Sequence, residues 1–145
     1  MKRFLTAAIL TFAPVAAFAE PVIVPSAGSV PETVERLKAS VDDAGARVFG
    51  VVDFGGGVKS IGKDIGDLQL VIFGDPRIGA AVLSADPMAA LDLPAKVLVY
   101  DTGSGTAMAY EKPTDMLAEW NIPSDAPVLQ AMADTLNRIT SAAAK

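Results

Sequence analysis

The sequence predicts an α+β fold: a small mixed or antiparallel sheet with helices packed on one face, in a single domain. Short β-branched and aromatic runs of strand length alternate with stretches whose apolar residues recur every three or four positions, so strands and helices share the chain. A tight glycine-containing turn, residues 101–105 (DTGSG), joins two of those runs as a β-hairpin, so the sheet cannot be purely parallel. The helices are apolar on one side only, which suits a layer lying on a sheet.

The first residues stand apart from this pattern. Lys2 and Arg3 form a positive head, residues 4–15 an apolar stretch, and Ala17-Phe18-Ala19 a small-x-small cleavage site, together the pattern of a secretory signal peptide. Residues 1–19 are therefore expected to be removed, leaving 20–145 as one domain in the periplasm or secreted. The apolar stretch is too short to span a bilayer, and no Cys follows the cleavage site to carry a lipid, so no membrane anchor is expected after cleavage. The remaining 126 residues can bury a real core without disulfides.

Composition narrows the chemistry. The 145-residue chain carries a formal charge of −5, and loss of Lys2 and Arg3 moves it to −7, which argues against nucleic acid and anionic membrane surfaces as partners. His and Cys are both missing, and with them the usual neutral-pH base, the commonest nitrogen ligand for metals and the thiolate nucleophile. Carboxylates, Lys, Tyr and hydroxyls are what is left.

Taken in order, residues 21–26 (PVIVPS) read as a strand kept to a sheet edge by its prolines. Ser29 with Glu32 three residues on is a capping-box pattern, and Val34, Leu37, Val41 and Ala44 form the apolar stripe of a helix that Gly45 ends, with Glu32, Glu35, Arg36 and Asp43 outside the stripe. A strand follows over 47–54, then a glycine-rich connection over 55–67 with room for one helical turn. A buried strand at 70–73 leads through Gly74 into two short helices, each announced by an Asp-Pro pair: the carboxylate of Asp75 or Asp86 caps backbone N–H groups while Pro76 or Pro87 occupies the first helical position. Capping outweighs a reading of these two aspartates as paired catalytic acids. Leu93-Pro94 stops the second helix before the strand at 97–100, and the hairpin returns over 106–110. Pro113 opens a helix reaching Trp120, and a final amphipathic helix starts near Ser124 or Asp125 and shows Leu129, Met132, Leu136, Ile139 and Ala143 on one side.

Three stretches imitate catalytic motifs. Asp101-Thr102-Gly103 after an apolar strand copies the aspartic-protease loop, in which two copies share a proton. Only 44 residues follow Asp101 and most are helical, so a hairpin turn is the better reading. Gly57 to Gly62-Lys63 falls one residue short of a phosphate-binding loop, with Asp64 where Ser or Thr should bind magnesium; a loop is expected. Ser60-x-x-Lys63 matches a penicillin-binding nucleophile motif without either of its companions. Trp120, Tyr100 and Tyr110 suit a pocket lining, but core packing is the stronger expectation.

The run IFGDPRIGAAVLSADPMAALDLPAKVLVYD, followed by Tyr110-Glu111-Lys112-Pro113 and a closing amphipathic helix, resembles the bacterial family called domain of unknown function 302 (DUF302). The resemblance extends from around Val34 to Ile139. It implies a small α+β protein, often exported and tending to form dimers, with no activity assigned to the family as a whole. Many members carry Asp-His at the end of the second strand, where this chain has Asp53-Phe54, so any work done by that His cannot be done here by the same residue.

The expectation is therefore a non-enzymatic ligand-binding or protein-interaction domain acting as a homodimer, with a small molecule or an envelope protein as partner. No catalytic residue, metal site or cofactor is expected; Asp53, Asp75, Lys96 and Tyr110 are the candidate ligand-binding residues. The competing expectation is a carboxylate-dependent protein: a dimeric aspartic-type hydrolase using Asp101, or an oxygen-ligand divalent-metal binder drawing on Asp53, Asp64 and Asp75.

Overall fold

A computed structural model describes residues 19–145; the expected signal peptide falls outside the described residues apart from Ala19. In chain order the elements are β1 (Val22–Ser26), α1 (Val30–Asp43), β2 (Arg47–Asp53), α2 (Phe54–Lys59), β3 (Leu68–Gly74), α3 (Pro76–Ala85), a 3-10 turn (Pro87–Leu91), β4 (Ala95–Asp101), β5 (Thr106–Tyr110), α4 (Pro113–Met116) and α5 (Pro127–Ala143). The five strands form one sheet in the order β1-β5-β4-β3-β2, and every neighbouring pair is antiparallel. The chain thus belongs to the α+β class, with the antiparallel form of the expected sheet. Strand β1 lies at an edge, where Pro25 costs the sheet no ladder bond.

Alternation along the strands sends one set of side chains to each face. Val71, Phe73, Val97, Val99 and Met108 pack against Val30, Val34, Leu37 and Val41 of α1 and against Leu136, Ile139 and Ala143 of α5. This is the main core. A second apolar cluster, built by Val82, Ala89, Leu117, Leu129 and Met132, sits where α3, the 3-10 turn and the segment after α4 meet α5.

Local signals account for most boundaries. The Ser29–Glu32 capping box is formed: the Glu32 N–H donates to Ser29 Oγ at 3.4 Å and the Ser29 N–H donates to Glu32 Oε2 at 2.8 Å. The Ser29 N–H, then the Ser29 hydroxyl donating to the same Oε2 at 2.9 Å, with Arg36 nearby, hold the Glu32 carboxyl below the usual carboxylate range. Three expectations shift. The strand predicted over 47–54 ends at Asp53, because its carboxylate caps Gly56 N–H at 2.8 Å and starts α2. The helix expected to run from Pro113 to Trp120 closes at Met116 and continues as turns. The last helix begins at Pro127, after Ala126 and without a side-chain cap, since Pro127 takes the first helical position itself.

Arg36 is the residue the amphipathic pattern misplaces. Rather than facing water it reaches across to the end of α5: Nε donates to the Ala143 carbonyl at 2.9 Å, and Nη2 donates to Thr33 Oγ1, Ser26 Oγ and the Ala27 carbonyl. A cation there answers the carbonyls and negative dipole end that the last turn of a helix leaves unpaired.

Candidate functional site

The residues that looked chemical are spent on backbone geometry. Asp101 ends β4, and its Oδ1 accepts the Gly103 N–H at 2.7 Å while the Thr102 N–H donates to the Gly105 carbonyl at 2.9 Å, which closes the hairpin. Gly103 has φ +79°, a conformation that suits glycine in such a turn. Asp53 caps α2 and Asp64 accepts the Gly66 N–H at 2.9 Å. Asp75 caps α3 through the Arg77 N–H at 2.8 Å and is gripped by the Arg77 guanidinium, Nη2 to Oδ2 at 2.6 Å. That guanidinium, then the N–H, holds the Asp75 carboxyl below its usual range, and Asp75 raises Arg77 in return. Among the described residues no three Asp or Glu gather into a metal-holding group.

The near phosphate loop is turned the wrong way round. A phosphate loop presents free N–H groups at the start of a helix. Here Gly57 lies inside α2 and the following residues fold back on its carbonyl end: Ser60 N–H donates to Gly56 O, Gly62 N–H to Lys59 O and Lys63 N–H to Val58 O. The hydroxyl of Ser60 donates to Gly57 O at 2.7 Å, so the Ser-x-x-Lys match is part of the same helix stop.

The four candidate ligand residues do not share one cavity. Lys96 and Tyr110 line the same depression of about 320 Å³, beside Leu70, Leu98 and Glu111. Asp75 lies on a different and larger cavity, and Asp53 starts α2. The aromatic residues divide as well. Tyr110 belongs to the main core, Trp120 packs on the second cluster with Nε1 donating to Asp92 Oδ2 at 2.7 Å, and Tyr100 is half-buried on the sheet.

Two apolar features remain after these assignments. One is the sheet face turned away from α1. Its register aligns Val52, Leu70, Leu98, Ala109 and Ile23 in a row across all five strands, and Leu68, Tyr100, Ala107 and Pro25 in the next row. Ile23 is 50% and Val52 39% exposed. Beyond the end of β2, Phe54, Ile61 and Ile65 add further exposed apolar surface.

The other is a cavity of about 660 Å³ between the main core and the second cluster. Its walls are Phe73 and Ala95 from the sheet, Met132 and Leu136 from α5, and Ile78 and Leu83 from α3. At its mouth Phe49, the extra residue where the β2–β3 register slips, is 58% exposed. Gly74 makes room for that ring: a Cβ there would come within 3.2 Å of Phe49 Cε2. Sequence reasoning passed over Phe49 and Gly79, and read Gly74 as a turn out of the strand and not as room for a ring. The one available signal was Gly79, a glycine in mid-helix with no turn to make.

Comparison with known proteins places this architecture. Residues 22–144 match the family model described as Domain of unknown function DUF302. The fold is similar to the crystal structure of an uncharacterized conserved DUF302 protein from Bacillus stearothermophilus, with TM-score 0.69 and 22% identity over 86% of this chain and 94% of that one. An 84-residue stretch, 58% of this chain, is 39% identical to part of a protein named fluoride-specific ion channel FluC 1 from Brucella suis biovar 1 and to part of its namesake from Brucella abortus biovar 1. The match spans only 33% and 31% of those two proteins, so the chain covers about a third of the curated relatives' length.

Proposed function

Because this chain belongs to the DUF302 family, for which no activity is defined, we propose a role from its surfaces: a non-enzymatic interaction domain, exported to the periplasm or beyond, that pairs with a second copy of itself through the open face of its sheet. The carrying observation is the row Val52, Leu70, Leu98, Ala109, Ile23, apolar from edge to edge on the side away from α1. Ile23 and Val52 are exposed at its ends and the three residues between them are half-buried, and a continuous apolar row of this kind is a candidate interaction surface.

Size decides what else must take part. Five strands about 4.8 Å apart and five residues at about 3.4 Å give a patch of roughly 400 Å². A standard interface buries about 800 Å² on each partner, so the sheet supplies half. The exposed side chains of Phe54, Ile61 and Ile65 are the natural remainder. The Brucella relatives support an interaction role in another way, since a stretch like this one is carried there inside longer proteins named as ion channels. An envelope protein is accordingly the proposed second partner.

Sedimentation equilibrium of residues 20–145 tests the reading. The native domain is expected to be a dimer at about 50 µM. Leu98→Glu, at the middle of the row, is expected to give a folded monomer, because each copy would have to bury an unpaired carboxylate at the contact. A native monomer at that concentration, or a Leu98→Glu dimer, overturns it.

A further inference from the structure

We infer that the 660 Å³ cavity between the two apolar clusters is a binding site for a single alkyl or acyl chain, whose head group stays in water at the Phe49 mouth. This goes beyond the pairing of sheet faces and does not depend on it.

The walls determine the chemistry. Below the rim, Phe73, Leu83, Leu93, Met132 and Leu136 offer hydrocarbon and sulfur, and Thr135 brings the single side-chain hydroxyl. A ligand with polar atoms against these walls would leave them without protein partners, whereas an aliphatic chain brings none. At about 30 Å³ per heavy atom, taken from the share of a water molecule in liquid, the space holds roughly 20 non-hydrogen atoms. That is the bulk of one long chain, and pockets of this size are typical for small ligands.

Gly79 shows that the space is kept open. It lies inside α3 on the cavity wall, has an ordinary helical conformation and would meet nothing within 4 Å if it carried a Cβ. A helix interior disfavours glycine against alanine, so neither backbone nor packing requires glycine here. What its missing side chain provides is room on the cavity side. Phe49, exposed at the mouth on a strand irregularity and laid over Gly74, is placed to cover the part of the chain nearest water. The rim charge is balanced, since Arg77 is paired with Asp75, so the head group is not selected by sign.

The test is displacement of 11-(dansylamino)undecanoic acid from the 20–145 domain, followed by fluorescence, with the same titration on the Leu98→Glu variant so that pairing and binding fail separately. Dodecanoate and dodecanol are expected to displace the probe at one site per chain with affinities within about threefold of each other. Affinity should rise about fourfold per added methylene between eight and twelve carbons, following about 0.8 kcal/mol per buried CH₂. Gly79→Leu, which fills the space, is expected to weaken binding at least tenfold while raising the melting temperature. Gly79→Ala should move both readouts the same way by less. Monoacyl phosphatidylcholine below its micelle concentration forms the second arm: competition by dodecanoate identifies free fatty acids as sufficient, and competition by the phospholipid alone identifies a lipid source, either outcome supporting the site. Absence of saturable binding in both arms, indifference of affinity to Gly79→Leu, or loss of probe binding as native protein is concentrated into dimer would overturn it.

Discussion

Asp75-Pro76 and Asp86-Pro87 are the same dipeptide, eleven positions apart, and both start helical turns. Asp75 works locally. It accepts the Arg77 N–H and the Arg77 guanidinium, two residues away, beside a side chain that is 77% exposed. Asp86 works over distance. One oxygen caps the Met88 N–H at 2.9 Å, and the other accepts Asn121 Nδ2 at 2.9 Å and the Asn121 N–H at 3.2 Å, 35 residues further on. Six residues later Asp92 takes the Trp120 indole N–H, so the 3-10 turn is fastened at two points to the segment after α4. The same punctuation mark therefore ends a strand in one place and holds the second apolar cluster together in the other. A carboxylate's position before proline reveals its cap and conceals its second oxygen.

The largest test of that contrast is replacement by alanine. Asp86→Ala removes a cap and also leaves Asn121, 35 residues away, without its side-chain partner. The melting temperature should fall by about 5–10 °C, against about 2–4 °C for Asp75→Ala, where the freed Arg77 side chain is already 77% exposed. Differential scanning calorimetry on the 20–145 domain gives both numbers. Equal losses would mean that the Asn121 bonds contribute nothing.

How much of this was legible beforehand follows the same division. The caps at Ser29, Asp75 and Asp86, the hairpin at Asp101 and the stripes of α1 and α5 were readable because each depends on residues a few positions apart. The Asn121 and Trp120 ties, and Arg36 reaching Ala143, were not, because a polar side chain at a surface-spaced position says nothing of a partner 28 to 107 residues away. The cavity was hidden for a similar reason. Phe49 and Gly79 come from different elements, and only the strand irregularity and the gap between two clusters bring them to one wall. Two of the residues picked out, Lys96 and Tyr110, line one depression, and Asp53 caps α2.

Acid should weaken the contributions of both aspartates, as it should that of Glu32. The Arg77 side chain chiefly depresses the Asp75 carboxyl, and the Asn121 N–H followed by the Met88 N–H depresses that of Asp86. With the folded-state value below the unfolded one, the native protein binds fewer protons, so each contribution is complete above the ordinary Asp pKa of about 3.9 and is lost as pH falls through it toward the folded value. Melting temperatures measured between about pH 5 and 2.5 should fall less steeply in Asp86→Asn and in Asp75→Asn than in the native domain. An unchanged acid slope in both would place the titration elsewhere.

Salt gives the smallest effect and the cleanest division. The Asp75 contact is with a charged, exposed guanidinium, and at 1 M ionic strength the screening length is about 3 Å, so much of that attraction disappears. The Asp86 contacts are with neutral N–H groups, whose strength does not depend on a counter-charge. Raising sodium chloride from 0.05 to 1 M should therefore shrink the melting-temperature difference between native and Asp75→Ala by about half and leave that of Asp86→Ala nearly unchanged. Measuring each variant against native protein in the same buffer cancels the general effect of salt on burial. If the Asp86→Ala difference shrank as much as the other, its carboxylate would be held by long-range charge and not by Asn121, and the distinction between a local cap and a cross-chain tie would lose its physical basis.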